Sequence, residues 1–368
     1  MPKPQILVTA AAGRTGRPTV LQLLAKGYPV RALVRSLDHR AEELRAAGAE
    51  VVAGSLADPA DLERALRGVR RAYFCPPWGP GLVHLTASFA TAAAEARLES
   101  VVAMSQWLAS PRHPSMTTRG LWLMERTLPW TPGLGVTIVN PGFFADNYMR
   151  LMEPIAQLGI LPFSMGQGRN APPSNEDIAR VVVGALSDPG RHAGRTYRPT
   201  GPRLLSPTEI AGAYATVLAR SVKYLDLPER MLLKALRALG VSPFEQSQLR
   251  YYMEDYRRNA FGVNAPTDAV REVGGTEPEP FEEVVRRYAA AMPEGRRTVG
   301  RQVKAAWNFA RILFTPPLDL ARVERDQGHP LIDRSEYAVD SPAWRAEHVP
   351  AGTGPAMMAL PAAVAAGR

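Results

Sequence analysis

The first sixteen residues constrain this chain more than any other segment. Gln5–Thr9 (QILVT) is a short apolar run of the kind that becomes a parallel strand buried on both faces. It leads into Thr9-Ala10-Ala11-Ala12-Gly13-Arg14-Thr15-Gly16. Pro18–Lys26 then carries Val20, Leu23 and Leu24 at helical spacing. Strand, small-residue turn and amphipathic helix in that order open a βαβ unit.

The rhythm repeats. Pro29–Val34, Val51–Ala53, Arg71–Cys75, Ser100–Met104 and Gly135–Val139 read as strands. Helical patterns fall between them, at about 37–47, 60–66, 82–96 and 118–128. Asp58-Pro59 is a helix cap followed by proline at the first helical position. The expected fold class is α/β: a doubly wound parallel Rossmann sheet, a smaller and mostly helical C-terminal lobe, and an extra C-terminal extension. The expected domains are 1–145 for nucleotide binding and 146–292 for the second lobe, with 176–200 returning to the sheet. Helices are expected at about 178–187, 206–220, 264–274 and 279–292, with a last strand at Thr196–Pro199. The extension, 293–368, reads as a basic amphipathic helix, then proline-rich and charged segments, then an alanine-rich end (351–368) expected to be disordered.

The turn after the first strand carries the chemistry. A dinucleotide fingerprint needs a tight turn, a glycine where backbone meets the pyrophosphate, and another where helix packs on strand. Gly13 and Gly16 take the last two roles, and Ala10 stands where the first glycine is usual. The amides of residues 12–16, at the positive end of the following helix, suit a pyrophosphate. Cofactor choice turns on the end of the second strand, where an acid would accept from ribose hydroxyls. Here Arg35 stands instead, able to pair with a 2′-phosphate, and Arg14 is expected to approach the same phosphate from the other side. The expected cofactor is therefore NADP(H) in preference to NAD(H). Ser55 and Leu56 would lie beside the adenine, and Pro76 and Pro77 near the ribose and nicotinamide. A plain surface turn and a simple strand stop explain these last two pairs equally well.

Composition excludes several alternatives. The net charge is +9 with a pI near 9.9, but the arginines are spread along the chain without a run of like charge, so no nucleic-acid partner is expected. One cysteine, Cys75, cannot build a disulfide framework or a thiolate zinc site, and the six histidines lie far apart. No metal is expected. Neither a secretory signal nor an 18-residue apolar run is visible, and a cytoplasmic location is the default.

Residues 5–292 resemble the NmrA-like branch of the atypical short-chain dehydrogenases. The stretches that carry the likeness are ILVTAAAGRTG, VRALVRS, GSLADPADLERAL, VTIVNPGFFADN, RPTGPRLLSPTEIA and TDAVREVGGTEPEPFEEVVRRY. The resemblance implies NADP(H) or NAD(H) binding, with either reduction of quinone-like acceptors or nucleotide sensing. It places Pro141 to Phe144, including Phe143, against the nicotinamide and Ser105 where a catalytic serine stands. It also exposes departures. With Glu125 aligned to a glutamate frequent in the family, the positions of the usual Tyr-x-x-x-Lys pair hold Thr117 and Leu121, which cannot pass a proton. Ser55 replaces an aspartate that meets adenine. Ser105 and His113 are the remaining catalytic candidates, the first more simply a structural hydroxyl, the second more simply an exposed loop histidine.

The function expected is NAD(P)H-dependent hydride transfer to a quinone- or enone-like small acceptor, with a non-catalytic NADP(H) sensor as the alternative. A sugar-nucleotide epimerase is disfavoured, because its base is missing. In the extension, Val299, Val303, Ala306, Ala310 and Phe314 share one helical face, with Trp307 beside it and Arg301, Lys304 and Arg311 adding charge. Docking on its own domain, or self-association or a protein partner through 298–314, is preferred to an anionic membrane surface.

Overall fold

The computed structural model describes residues 2–349. Among the described residues there are nine strands: β1 (Ile6–Val8), β2 (Val30–Val34), β3 (Glu50–Ala53), β4 (Arg71–Phe74), β5 (Ser100–Met104), β6 (Gly135–Val139), β7 (Ile160–Phe163), β8 (Thr196–Tyr197) and β9 (Lys223–Asp226). Seven form one sheet in the order β3-β2-β1-β4-β5-β6-β8, every pairing parallel. Parallel strands require helical crossovers that cover both faces, and the core divides accordingly. Ile6 and Val8 belong to the cluster on one face, together with Val20, Leu23 and Val182. Leu7, between them, belongs to the other, with Leu62, Phe74 and Phe89. Order reverses between β1 and β4, so the loops leaving their carboxyl ends part and open a crevice.

After the helix Asn175–Ser187 the chain returns to the main sheet, where β8 pairs with β6 as an edge strand. Between them and beyond lies a helical lobe with its own two-stranded parallel sheet, β7 with β9. Two of its helices, Glu229–Ala238 and Pro243–Arg257, escaped the sequence reading, as did both strands of the small sheet. The signal for one was present. Ser242-Pro243-Phe244-Glu245 forms a complete capping box, the same device found at Ser206-Pro207-Thr208-Glu209. The helix expected over 264–274 is shorter, Ala269–Gly274.

The extension is structured as far as Val349, and the alanine-rich end expected to be disordered lies outside the described residues. After the helix Val299–Phe314 come two shorter ones, Leu320–Asp326 and Pro342–His348. The segment 329–349 lies as a strap along the loop that follows β5. Glu336 N–H donates to Arg112 O at 2.9 Å, and the Trp344 indole donates to Trp107 O at 2.7 Å. The strap buries Trp344, Ala338 and His348 completely or nearly so.

Candidate active site

The nucleotide loop is held from below and open above. Thr9 N–H donates to Tyr73 O, Ala11 N–H to Leu33 O and Gly13 N–H to Ala10 O, tying the turn to both neighbouring strands. Ala10, at the position of the usual first glycine, adopts φ +47°. The left-handed turn survives the substitution at a cost of about 1 kcal/mol. A Cβ on Gly13 would lie 2.8 Å from Ala10 O and one on Gly16 only 2.1 Å from it, so neither position accepts a side chain without moving backbone. Among the described residues the N–H groups of Arg14, Thr15 and Gly16 have no acceptor. These free amides, at the positive end of the helix Gly16–Ala25, fit the pyrophosphate of a dinucleotide. Beneath them Thr15 Oγ1 and Tyr73 OH are 2.8 Å apart, and Thr9 Oγ1 accepts from Cys75 N–H at 2.8 Å.

The two arginines part company. Arg35, at the end of β2, is exposed and has no ion pair or hydrogen bond among the described residues. The next acid along the chain, Asp38, is committed: it caps the helix His39–Ala46 and pairs with Arg40, which holds its carboxyl well below the usual carboxylate range. Arg35 is thus a free guanidinium with no ribose-accepting acid at the strand end. Arg14 does not converge with it as expected. Its guanidinium pairs with Asp146 at 2.7 Å and donates to Asn147 Oδ1 at 3.2 Å, latching the nucleotide loop to the second lobe. The latch separates a groove of about 520 Å³, lined by Gly13, Arg17 and Asp146, from a more apolar cleft.

That cleft encloses about 470 Å³ between the ends of β4 to β6 and the helical lobe. Pro76, Ser105, Phe143, Phe144 and Leu121 line one side, and Leu232, Leu236, Tyr252 and Met253 the other. Trp78 meets Tyr252 edge-on, with ring centroids 6.4 Å apart, and Phe143 packs against Tyr252 at 5.8 Å. Leu121, at the position of the missing lysine, is an apolar wall of the cleft, while Thr117 donates to Gln248 Oε1 away from it. Pro141 is buried and its carbonyl accepts from Trp107 N–H. Pro77 is exposed and outside the lining. Leu56 is half-buried against the sheet, and Ser55 Oγ accepts from Ala57 N–H at 3.1 Å, which shapes the turn beside it.

Ser105 is a polar group of the cleft wall with a carboxyl behind it. At the end of β5 its hydroxyl donates to Glu125, on the helix Met116–Thr127, and Asn140 at the end of β6 donates to the same carboxylate oxygen at 3.1 Å. Burial pushes the Glu125 carboxyl up to about 7, and the neighbouring charge of Glu347 in the strap adds to the rise against the hydrogen bonds from Ser105 and Asn140. The family resemblance uses Glu125 as a reference point only, since nothing in its spacing from Ser105 says that they meet. His113 stands elsewhere. It is fully buried rather than exposed: its Nδ1 accepts from Ser115 N–H, its Nε2 faces Asp255 at 2.5 Å, and Asp255 also accepts from Ala338 N–H of the strap. Both ring nitrogens are occupied in holding the loop, the lobe and the strap together.

A family model described as NAD(P)H-binding matches residues 10–189. The chain is 30% identical over 293 residues to an NAD(P)H azoreductase of Xenophilus azovorans, covering 78% of this chain and 98% of that relative. It belongs to the NAD(P)H-binding, NmrA-like atypical short-chain dehydrogenases. Solved structures of the same fold include an NADPH-dependent quinone oxidoreductase of Escherichia coli complexed with NADPH, at 22% identity and TM-score 0.68 over 77% of this chain and 99% of that one. A second is NmrA, a negative transcriptional regulator, in complex with NADP, at 19% identity and TM-score 0.67 over 80% of this chain and all of that one. The family is one of NAD(P)H-dependent oxidoreductases, and its cofactor is the ligand that the free amides of the first turn fit. Among the described residues no group of side chains could hold a metal ion, and no helix is long and apolar enough to cross a membrane.

Proposed function

We propose that this protein is an NADPH-dependent reductase of flat aromatic acceptors of the quinone or azo type, and that Ser105 and Glu125 deliver the proton. The observation that carries this reading is the aromatic cleft beside the nucleotide loop, with the Ser105 hydroxyl on its wall backed by the buried Glu125 carboxyl. A volume of about 470 Å³ suits a small ligand, and Trp78, Phe143 and Tyr252 offer aromatic surface for it. The dihydronicotinamide supplies the hydride when bound. The amides of Arg14 to Gly16 hold the pyrophosphate, and Arg35 takes the 2′-phosphate. Protonated Glu125 donates to Ser105 Oγ while Ser105 passes its own proton to the acceptor's oxygen or nitrogen, which replaces the missing Tyr-Lys pair.

The test is multiple-turnover NADPH oxidation with a panel of quinones and azo compounds. Sustained turnover supports the reading, whereas tight binding without turnover would leave a nucleotide sensor. The proton path has its own signature. As pH rises through about 7 Glu125 loses its proton, so the wild-type rate falls on the alkaline side. Glu125→Gln and Ser105→Ala are expected to lower kcat by roughly tenfold to a hundredfold and to remove that limb, with NADPH affinity unchanged. A limb that persists in Glu125→Gln rules the relay out.

Cofactor choice is checked separately by fluorescence titration. Arg35→Ala is expected to weaken NADPH by roughly tenfold or more, the value of a charge-assisted pair, and to leave NADH where it was. Equal losses for both nucleotides would remove Arg35 from the 2′-phosphate site.

A further inference from the structure

The helix Val299–Phe314 docks on its own lobe, but through the face opposite to the one its apolar pattern suggests. Ala305 is buried, and Gln302, Asn308, Phe309 and Ile312 are half-buried against the helices Met152–Leu158 and Glu229–Ala238. Asn308 donates to Glu153 at 3.1 Å, and Arg311 donates to Ala238 O at 3.1 Å. The expected docking face points outward instead. Val299 is 77% exposed, Val303 66%, Trp307 70% and Phe314 85%. Five large apolar side chains, with Leu313, thus project into solvent along one side of a helix that has already satisfied its need for tertiary contacts.

We infer that this outward face is a docking surface for an anionic lipid bilayer. The charge carried by the segment itself is of one sign. From 296 to 314 the chain carries Arg296, Arg297, Arg301, Lys304 and Arg311 and no acid. Lys304 and Arg311 lie along one border of the apolar stripe, and Lys234 and Arg237 reach the helix's carboxyl end from the neighbouring helix. An exposed stripe with tryptophan and phenylalanine, bordered by cations, is what lies flat at a lipid headgroup boundary. The other occupants fit the charge less well. A second copy would bring its own net charge of +9, and the segment 351–368 contains no acid. The position also serves the cleft. Glu229–Ala238, on which this helix packs, supplies Leu232 and Leu236 to the cleft wall, and Leu239, 70% exposed, carries that lining to the surface. A bilayer met by this face borders the rim through which an apolar acceptor enters.

The experiment is flotation of the full chain with vesicles of phosphatidylglycerol and phosphatidylcholine, and with phosphatidylcholine alone. Recovery with the anionic vesicles at low salt, release at high salt and no recovery with neutral ones are expected. Trp307→Glu and Lys304→Glu should each weaken the association by roughly tenfold or more. Both variants should bind NADPH as the wild type does, which shows that they fold. Failure of the wild type to float with anionic vesicles overturns the inference. So does a dimer, seen by light scattering, that Trp307→Glu converts to a monomer, because the face then belongs to a second copy.

Discussion

Gly16→Ala is expected to abolish NADPH binding and to cost the amino-terminal domain about 1–3 kcal/mol. The methyl group would arrive 2.1 Å from Ala10 O, 2.8 Å from Ala10 C and 2.9 Å from Ala11 Cα. All three are backbone atoms of the turn, so no rotamer change can make room. Either the helix Gly16–Ala25 lifts off β1 or the turn flattens, and both destroy the array of free amides at Arg14, Thr15 and Gly16. Overpacking of a tight site typically costs 1–3 kcal/mol, and about that much is expected here beyond the loss of cofactor. Gly212→Ala is the control. This glycine sits in the helix Pro207–Val217 with no atom within 4 Å of an added Cβ, and alanine there should stabilise by about 1 kcal/mol. Urea denaturation and nicotinamide fluorescence measure both variants. Retained NADPH affinity in Gly16→Ala would mean that the turn can yield, and that its amides are not the pyrophosphate site.

The second large effect is expected at the strap. Trp344 is buried, its indole donates to Trp107 O, and its ring stacks on His348 with centroids 4.1 Å apart and planes 13° apart. Trp344→Ala should cost about 3–5 kcal/mol, the usual range for a large aromatic lost from a core. Trp344→Phe keeps the stack and loses one hydrogen bond, for about 1 kcal/mol. His348 makes the same contact pH-dependent. Burial and the nearby Arg198, whose Nε donates to His348 Nε2 at 3.0 Å, hold the imidazole down to about 3. The unfolded chain's histidine takes a proton near 6.5 while the folded one resists it, so the unfolded state binds more protons in that window. The strap's contribution is therefore complete above pH 6.5 and is lost as pH falls towards 3. Hydrogen exchange of 329–349 should show opening below pH 6 in the wild type and at pH 7 in Trp344→Ala. A melting midpoint and exchange pattern untouched by Trp344→Ala would show that the strap is held by its other contacts alone.

What the sequence could disclose followed from short-range physics. The strand QILVT, the turn to Gly16 and the helix after it are fixed by local burial pattern and by two positions that tolerate no Cβ. A parallel sheet with helical crossovers follows from repetition of that unit. That an exposed arginine and no acid follows β2 was legible too, because it depends only on the residue next to the strand end. The arrangement across the cleft was not legible in this way. Ser105 and Glu125 are twenty residues apart, and they meet only because β5 and the helix after it place them back to back, with Asn140 arriving from β6. Leu232, Leu236 and Tyr252 come from helices whose periodicity marks an apolar face without saying what it faces.

The extension draws the same line most clearly. Its sequence determined that residues 299–314 form a helix with an apolar stripe and cationic border. Only the tertiary structure decided which side docks, because a pattern records how apolar a face is and not which neighbour fits it. Ala305, small enough for close approach, won the interior over Trp307 and Phe314. Likewise Trp344 and His348 look like surface residues in a charged, proline-rich segment until the loop after β5 is seen beneath them. The composition of that segment carries no trace of a partner more than 200 residues away in the chain.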